Sequence, residues 1–235
     1  MYKLAIIRLF ILFVSTFLFL GLTGCHPAKT ELKIAAGAGL TDALTEVNYL
    51  FMQKEKEIEV KAIFAAAGDL RTQIENGAPV DLFFSAASSH IDALESQGMI
   101  VPGMRKDILK NRLVLITHQD NLSPVKSFED LLKKEVGLIA MGDPAFVPAG
   151  NYGLRTFEAL EIPYELLQEK IILGNNVRQV LSYVESKNVE YGIVYYTDTL
   201  ISESVRVVAT APEIVNEAIV FPIAIISTTK HLEAA

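Results

Sequence analysis

From residue 32 onward, short apolar runs rich in β-branched residues alternate with longer amphipathic stretches. This alternation constrains the fold more than any other feature. Residues 32–36, 58–64 and 81–85 read as strands. Between and after them, 41–52 places Leu44, Val47, Leu50 and Phe51 on one helical face, 69–75 closes at Asn76-Gly77, and 89–97 ends at Gly98. The pattern resumes with strands over 112–117, 137–141, 191–195, 205–210 and 218–227, and helices over 127–133, 150–160 and 176–186. Strand followed by helix implies a mostly parallel sheet covered by helices, an α/β class. With 51% hydrophobic and 21% charged residues, the chain has enough apolar material for packed cores. Two lobes fit the order better than one long sheet. Lobe 1 is expected over 32–110 plus 207–235 and lobe 2 over 111–206, with the chain crossing near Arg112 and Val205.

The first 24 residues are an address. Lys3 and Arg8 precede an apolar run from Leu9 to Leu22, too short to span a bilayer comfortably as a free helix. The run ends in Leu22-Thr23-Gly24-Cys25, a string that resembles the bacterial lipobox, in which the cysteine is lipidated and becomes the first mature residue. The alternative is an ordinary signal or anchor helix carrying an unmodified Cys25. With lipidation, residues 25–31 form a short tether, and the protein sits outside the cytoplasmic membrane on its lipid chains.

Charge and reactive residues exclude several functions. Lys plus Arg total 21 against 28 Asp plus Glu, net −7, with no basic run, which argues against nucleic acid as partner. One Cys and four scattered His leave neither a disulfide framework nor a Cys/His zinc site. There is no Gly-x-Ser-x-Gly elbow, no phosphate loop ending in Gly-Lys-Ser/Thr and no His-Glu-x-x-His, so no enzyme class is indicated and no cofactor is implied.

Four strand-to-helix junctions are built from small or capping residues: Ala36-Gly37-Ala38-Gly39, Ala65-Ala66-Ala67-Gly68, Pro148-Ala149-Gly150 and Asn175-Asn176-Val177. Ligands of open α/β sheets bind beyond the carboxyl ends of strands, where helices begin. The first N–H groups of a helix have no internal partner, and its dipole favours negative charge there. Such a junction can hold a compact anion on backbone donors alone. Any one of them could equally be a tight turn.

Several strings resemble the periplasmic molybdate-binding proteins, receptors of an ABC importer for molybdate and tungstate. They are Ala38-Gly39-Leu40-Thr41-Asp42-Ala43, the run 73–86, Gly142-Asp143-Pro144 with Val147-Pro148-Ala149-Gly150, Asn176-Val177-Arg178, and Gly192-Ile193-Val194-Tyr195. The resemblance covers nearly all of the chain after the leader. It implies a type II periplasmic-binding fold, two α/β lobes joined by a two-strand hinge that close on the ligand. It also implies an extracytoplasmic monomer that serves an ABC permease. By the same resemblance the bound oxyanion is held by the backbone of Ala149 and Val177 and the hydroxyl of Tyr195. The family's two ligand serines map onto Gly39 and Ala67, which keep only their N–H groups. The missing hydroxyls leave open another small anion or a polar organic ligand. Three further side chains carry alternatives. Asp69 either stabilises its helix start or repels a dianion; Tyr195 is a ligand contact or core; Arg178 supplies charge or is a solvated first-turn residue. Asp143 and Pro144 are expected to shape their loop. Residues 230–235 read as the first turn of the family's closing helix, as though the chain ended early.

Overall fold

The computed structural model describes residues 29–122 and 124–235. The leader 1–24 and Cys25, with its expected lipidation, lie outside the described residues. The first half of the chain forms β1 (Thr30–Gly37), α1 (Thr41–Lys54), β2 (Ile58–Ala65), α2 (Ala67–Glu75), β3 (Leu82–Phe84), α3 (Ser88–Ser96) and β4 (Ile100–Lys110). The second half forms β5 (Leu113–His118), β6 (Ile139–Gly142), α4 (Pro148–Ala159), β7 (Ile171–Gly174), α5 (Val177–Glu185), β8 (Tyr191–Tyr195), α6 (Tyr196–Thr199), β9 (Val205–Thr210), α7 (Glu213–Asn216) and β10 (Val220–Ile226).

These elements build two five-stranded sheets with the same plan, β2-β1-β3-β10-β4 and β7-β6-β8-β5-β9. In each, three neighbouring strands run parallel, and the fourth position is an antiparallel strand, β10 or β5. In the first sheet the fourth and fifth strands, β10 and β4, lie on either side of the chain's excursion through the second sheet, and in the second they are its first and last strands, β5 and β9, so the two lobes are threaded together as a type II periplasmic-binding fold. The interior strands are apolar because helices cover both faces of a sheet. All five residues of β8 and the first five of β5 are buried. The lobe 1 core gathers Ala35, Leu70, Ile74, Phe83, Ile91 and Leu94 beneath α2 and α3. Gly77 (φ +85°) and Gly98 (φ +69°) follow those helices in the left-handed region, as their sequence positions suggest.

Two strands escaped the sequence reading. Most residues of β4 are exposed and β7 has only four, so neither shows a buried periodicity. The helix expected over 127–133 is instead a 3₁₀ turn, Glu129–Leu132. The Asp130 carboxylate accepts the N–H groups of Lys126 and Ser127, at 2.8 and 3.2 Å, and closes the segment into a turn. Residues 230–235 form hydrogen-bonded turns, with the N–H groups of Ala234 and Ala235 both donating to His231 O.

The strand expected to cross near Val205 lies wholly in the second sheet, paired with β5 from Val205 to Thr210. The crossings are residues 111–112 and the segment after Thr210. Asn216, buried, ties them together: its Oδ1 accepts Leu113 N–H at 2.9 Å and its Nδ2 donates to Ala211 O at 2.7 Å.

Candidate functional site

Strand register builds the site. In the first sheet Gly37 pairs with Ala65, so the carboxyl ends of β1 and β2 lie side by side. In the second, Gly142 pairs with Gly174, which aligns the ends of β6 and β7. The four small-residue junctions therefore emerge in two pairs, one from each lobe, and the lobes face each other across them.

Between them is a small chamber lined by Gly37, Ala38, Gly39, Ala65, Ala66, Ala67 and Ala86 from lobe 1, and Val147, Pro148, Ala149, Asn176, Val177 and Tyr195 from lobe 2. All five residues singled out from the sequence as oxyanion contacts, Gly39, Ala67, Ala149, Val177 and Tyr195, are among them. Its volume is about 10 Å³, about the room of one water molecule, so the junctions stand nearly in contact across it. The chamber has no carboxylate in its lining. A larger cleft of about 380 Å³, lined in part by Ser88, Ser89, His90, Asn151 and Arg155, adjoins it through Val147 and Pro148.

Ala67 and Val177 are the first residues of α2 and α5, and Ala149 is the second of α4. Their N–H groups have no acceptor within those helices, and none elsewhere among the described residues. Asn176 caps α5 by accepting Gln179 N–H at 3.0 Å. Tyr195 is buried at the end of β8, and its hydroxyl donates across the cleft to Ala86 O at 3.3 Å. Burial holds that phenol well above its usual range, so it stays a neutral donor. Its ring meets Phe221 of β10 edge-on at 5.1 Å.

Backbone approaches backbone here. Gly68 N–H in lobe 1 donates to Phe146 O in lobe 2 at 3.0 Å. A Cβ at Gly68 would stand 2.7 Å from that oxygen, and one at Gly150 would stand 1.9 Å from Gly142 O. Both glycines are therefore required by contact rather than by dihedral freedom.

Asp69 is exposed and outside the lining, consistent with a helix-start carboxylate. Asp143 shapes its loop, as expected: its side chain accepts Ala145 N–H and its carbonyl accepts Phe146 and Val147 N–H. Arg178 is not a solvated first-turn residue. It crosses to lobe 1 and pairs with Asp42 Oδ2 at 2.5 Å, while its Nε lies 3.3 Å from Asp198 Oδ1. Asp198 went unnoticed in the sequence. It is fully buried, its Oδ2 accepts Tyr195 N–H at 3.1 Å, and burial pushes its pKa up to about 6 against the pull of Arg178 and that N–H. Its place three residues after Tyr195 is the only local signal, a capping-box spacing at the start of α6.

Among the described residues, no cluster of His, Cys, Asp and Glu could hold a metal ion, and no helix is long and apolar enough to cross a membrane.

The sequence profile of the bacterial extracellular solute-binding proteins matches residues 32–235. YvgL of Bacillus subtilis, which carries the provisional name of an ABC transporter substrate-binding lipoprotein, is 38% identical over 207 residues, 88% of this chain and 78% of its own. The molybdate-binding protein ModA of Haemophilus influenzae is 32% identical over 223 residues, 91% of this chain and 85% of its own. Among solved structures, the periplasmic molybdate-binding protein of Azotobacter vinelandii superposes with a TM-score of 0.76 at 25% identity, covering 86% of this chain and 88% of that one. The chain belongs to the bacterial extracellular solute-binding proteins, a family that captures solutes rather than transforming them.

Proposed function

We propose that the protein is the extracytoplasmic receptor of an ABC importer, anchored by lipid at Cys25, and that it captures molybdate or tungstate between its lobes. One observation carries this reading: unpaired helix-start N–H groups from both lobes meet at one small chamber whose lining carries no carboxylate. The N–H groups of Gly39, Ala67, Ala149 and Val177 and the Tyr195 hydroxyl are the donors in this proposal. The helix dipoles add favourable potential, and the net charge of −7 is no obstacle, since salt screens distant charges within about 10 Å. The lobes in this reading are the units around the two sheets, hinged at 111–112 and beyond Thr210. Closure removes the ion from water and offers the permease one distinct shape.

Titration calorimetry tests the ligand. Molybdate and tungstate should give heat, with sulfate discriminated by fit. Silence with all three on folded protein overturns oxyanion capture. It would favour the second reading, another small anion or a polar organic ligand, which the methyl group of Ala67 and the bare Gly39 in the lining support.

The anchor is tested separately. Cys25→Ala should move the protein from the membrane fraction to the soluble extracytoplasmic fraction. Retention in the membrane would mean that the leader itself is the anchor.

A further inference from the structure

We propose that Arg178 is a positioning residue that fixes the lobe 1 anion turn and latches the closed lobes, held for that task by buried Asp198. This rests on the reading of the chamber as an oxyanion site between moving lobes.

Arg178 is the second residue of α5, directly after Val177, whose N–H is a proposed anion donor. Its guanidinium leaves lobe 2 and forks over the turn that follows β1. Nε lies 3.3 Å from Ala38 O, and Nη2 lies 3.4 Å from Gly39 O and 2.5 Å from Asp42 Oδ2. All three acceptors belong to lobe 1. The two carbonyl contacts are long and individually weak; what distinguishes them is that one planar group takes both carbonyls and a carboxylate at once.

The Ala38 carbonyl shares its peptide unit with Gly39 N–H. In a planar trans peptide the two point in opposite directions. Thr41 already holds that oxygen from within lobe 1, through its hydroxyl at 2.7 Å and its backbone N–H. Arg178 adds a charged donor to the same oxygen, which braces the peptide and polarises its N–H. The same side chain thus binds the lobes together and reinforces a donor that the anion needs.

Asp198 explains why the guanidinium stays in place. Among the described residues its buried Oδ1 has no hydrogen-bond partner, and Arg178 Nε lies beside it at 3.3 Å as a favourable charge. The contact meets the distance of an ion pair but not the geometry of a hydrogen bond, so it orients the fork chiefly by charge. Opening the lobes would strip Arg178 of Asp42 and both carbonyls while leaving it beside Asp198. The pair therefore waits on lobe 2, ready to engage again.

Removing Asp198 would leave the arginine without its buried counter-charge and endanger folding, so the test uses Arg178→Lys and Asp42→Asn. Lysine keeps a positive charge for Asp198 but cannot fork. Asp42 is 58% exposed, and its replacement should not threaten the fold. Three quantities are measured on the mature chain: the lobe-to-lobe distance by paired spin labels without anion, molybdate dissociation by stopped flow, and the melting temperature. Arg178→Lys should shift the anion-free distances toward open and weaken molybdate binding about tenfold or more, chiefly through faster dissociation. Asp42→Asn should accelerate dissociation several-fold with association unchanged, and both variants should melt close to wild type. Wild-type distances and dissociation rates in both variants would overturn the latch. If the wild-type protein gives no heat with molybdate, the oxyanion reading fails, and the anion-free distances still decide the latch.

Discussion

Gly68→Ala is expected to abolish high-affinity capture while leaving both lobes folded. Gly68 lies in the first turn of α2, where alanine is a better helix former than glycine. The three atoms nearest to the added methyl group all lie in lobe 2. They belong to Phe146: 2.7 Å to the carbonyl oxygen, 2.8 Å to Cα and 3.1 Å to the carbonyl carbon. These are backbone atoms, and the loop that carries them cannot withdraw easily. Val147 fills the space beside Gly142, and the turn at Gly150 is pressed against Gly142 O. The methyl group must therefore keep the lobes apart and break the hydrogen bond from Gly68 N–H to Phe146 O. A protein whose competent state is populated only in the fraction f binds with its affinity reduced by f, so a closed population driven to about 1% lowers affinity about a hundredfold. Molybdate titration should show that loss, and the anion-free melting temperature should stay level or rise slightly. Wild-type affinity in Gly68→Ala would mean that capture does not bring these two backbones together. A large fall in melting temperature would trace the effect to packing within lobe 1 instead.

What the sequence disclosed follows the range of each interaction. The interior strands were legible because burial on both faces writes an unbroken apolar run, as in 113–116 and 191–195. The junctions were legible because close approach requires small side chains at fixed places, and the structure brings all four to one chamber. β4 was hidden because it is an edge strand that pairs with β10 alone and leaves Met104, Ile108 and Leu109 exposed. The sequence leaves Arg178 open between two roles for a different reason. Its partners in the turn at Ala38 and Gly39 lie about 140 residues earlier in the chain, and no local pattern announces a contact made only when two lobes meet. The burial of Asp198 is equally nonlocal. A carboxylate in the third position after a strand reads as an ordinary cap until the opposite lobe covers it.

Restoring the two hydroxyls should raise molybdate affinity, and by unequal amounts. A hydrogen bond to a charged partner contributes about 1.5–3 kcal/mol, so two well-placed hydroxyls together correspond to roughly two to four decades in Kd. The backbone can accept both. A Cβ at Gly39 would sit 3.4 Å from Val177 Cγ1 and 3.6 Å from Tyr195 Cδ2, ordinary contacts. Ala67 already carries its Cβ in the chamber lining. The difference lies in what else each hydroxyl can reach. The same Cβ at position 39 stands 3.7 Å from Asp198 Oδ1, the buried oxygen that has no hydrogen bond of its own. A serine there has a competing acceptor and can satisfy Asp198 instead of the anion. Gly39→Ser should therefore raise the anion-free melting temperature and improve molybdate binding modestly, whereas Ala67→Ser should improve binding about tenfold or more with little change in melting. The double variant should bind most tightly, since one serine can occupy Asp198 or the anion while the other serves the anion alone. Calorimetry and melting curves on the three variants separate these contributions. If each added oxygen instead weakens molybdate binding, the chamber is shaped by its missing hydroxyls for a different guest, because the same two atoms would then be filling space that the natural ligand occupies.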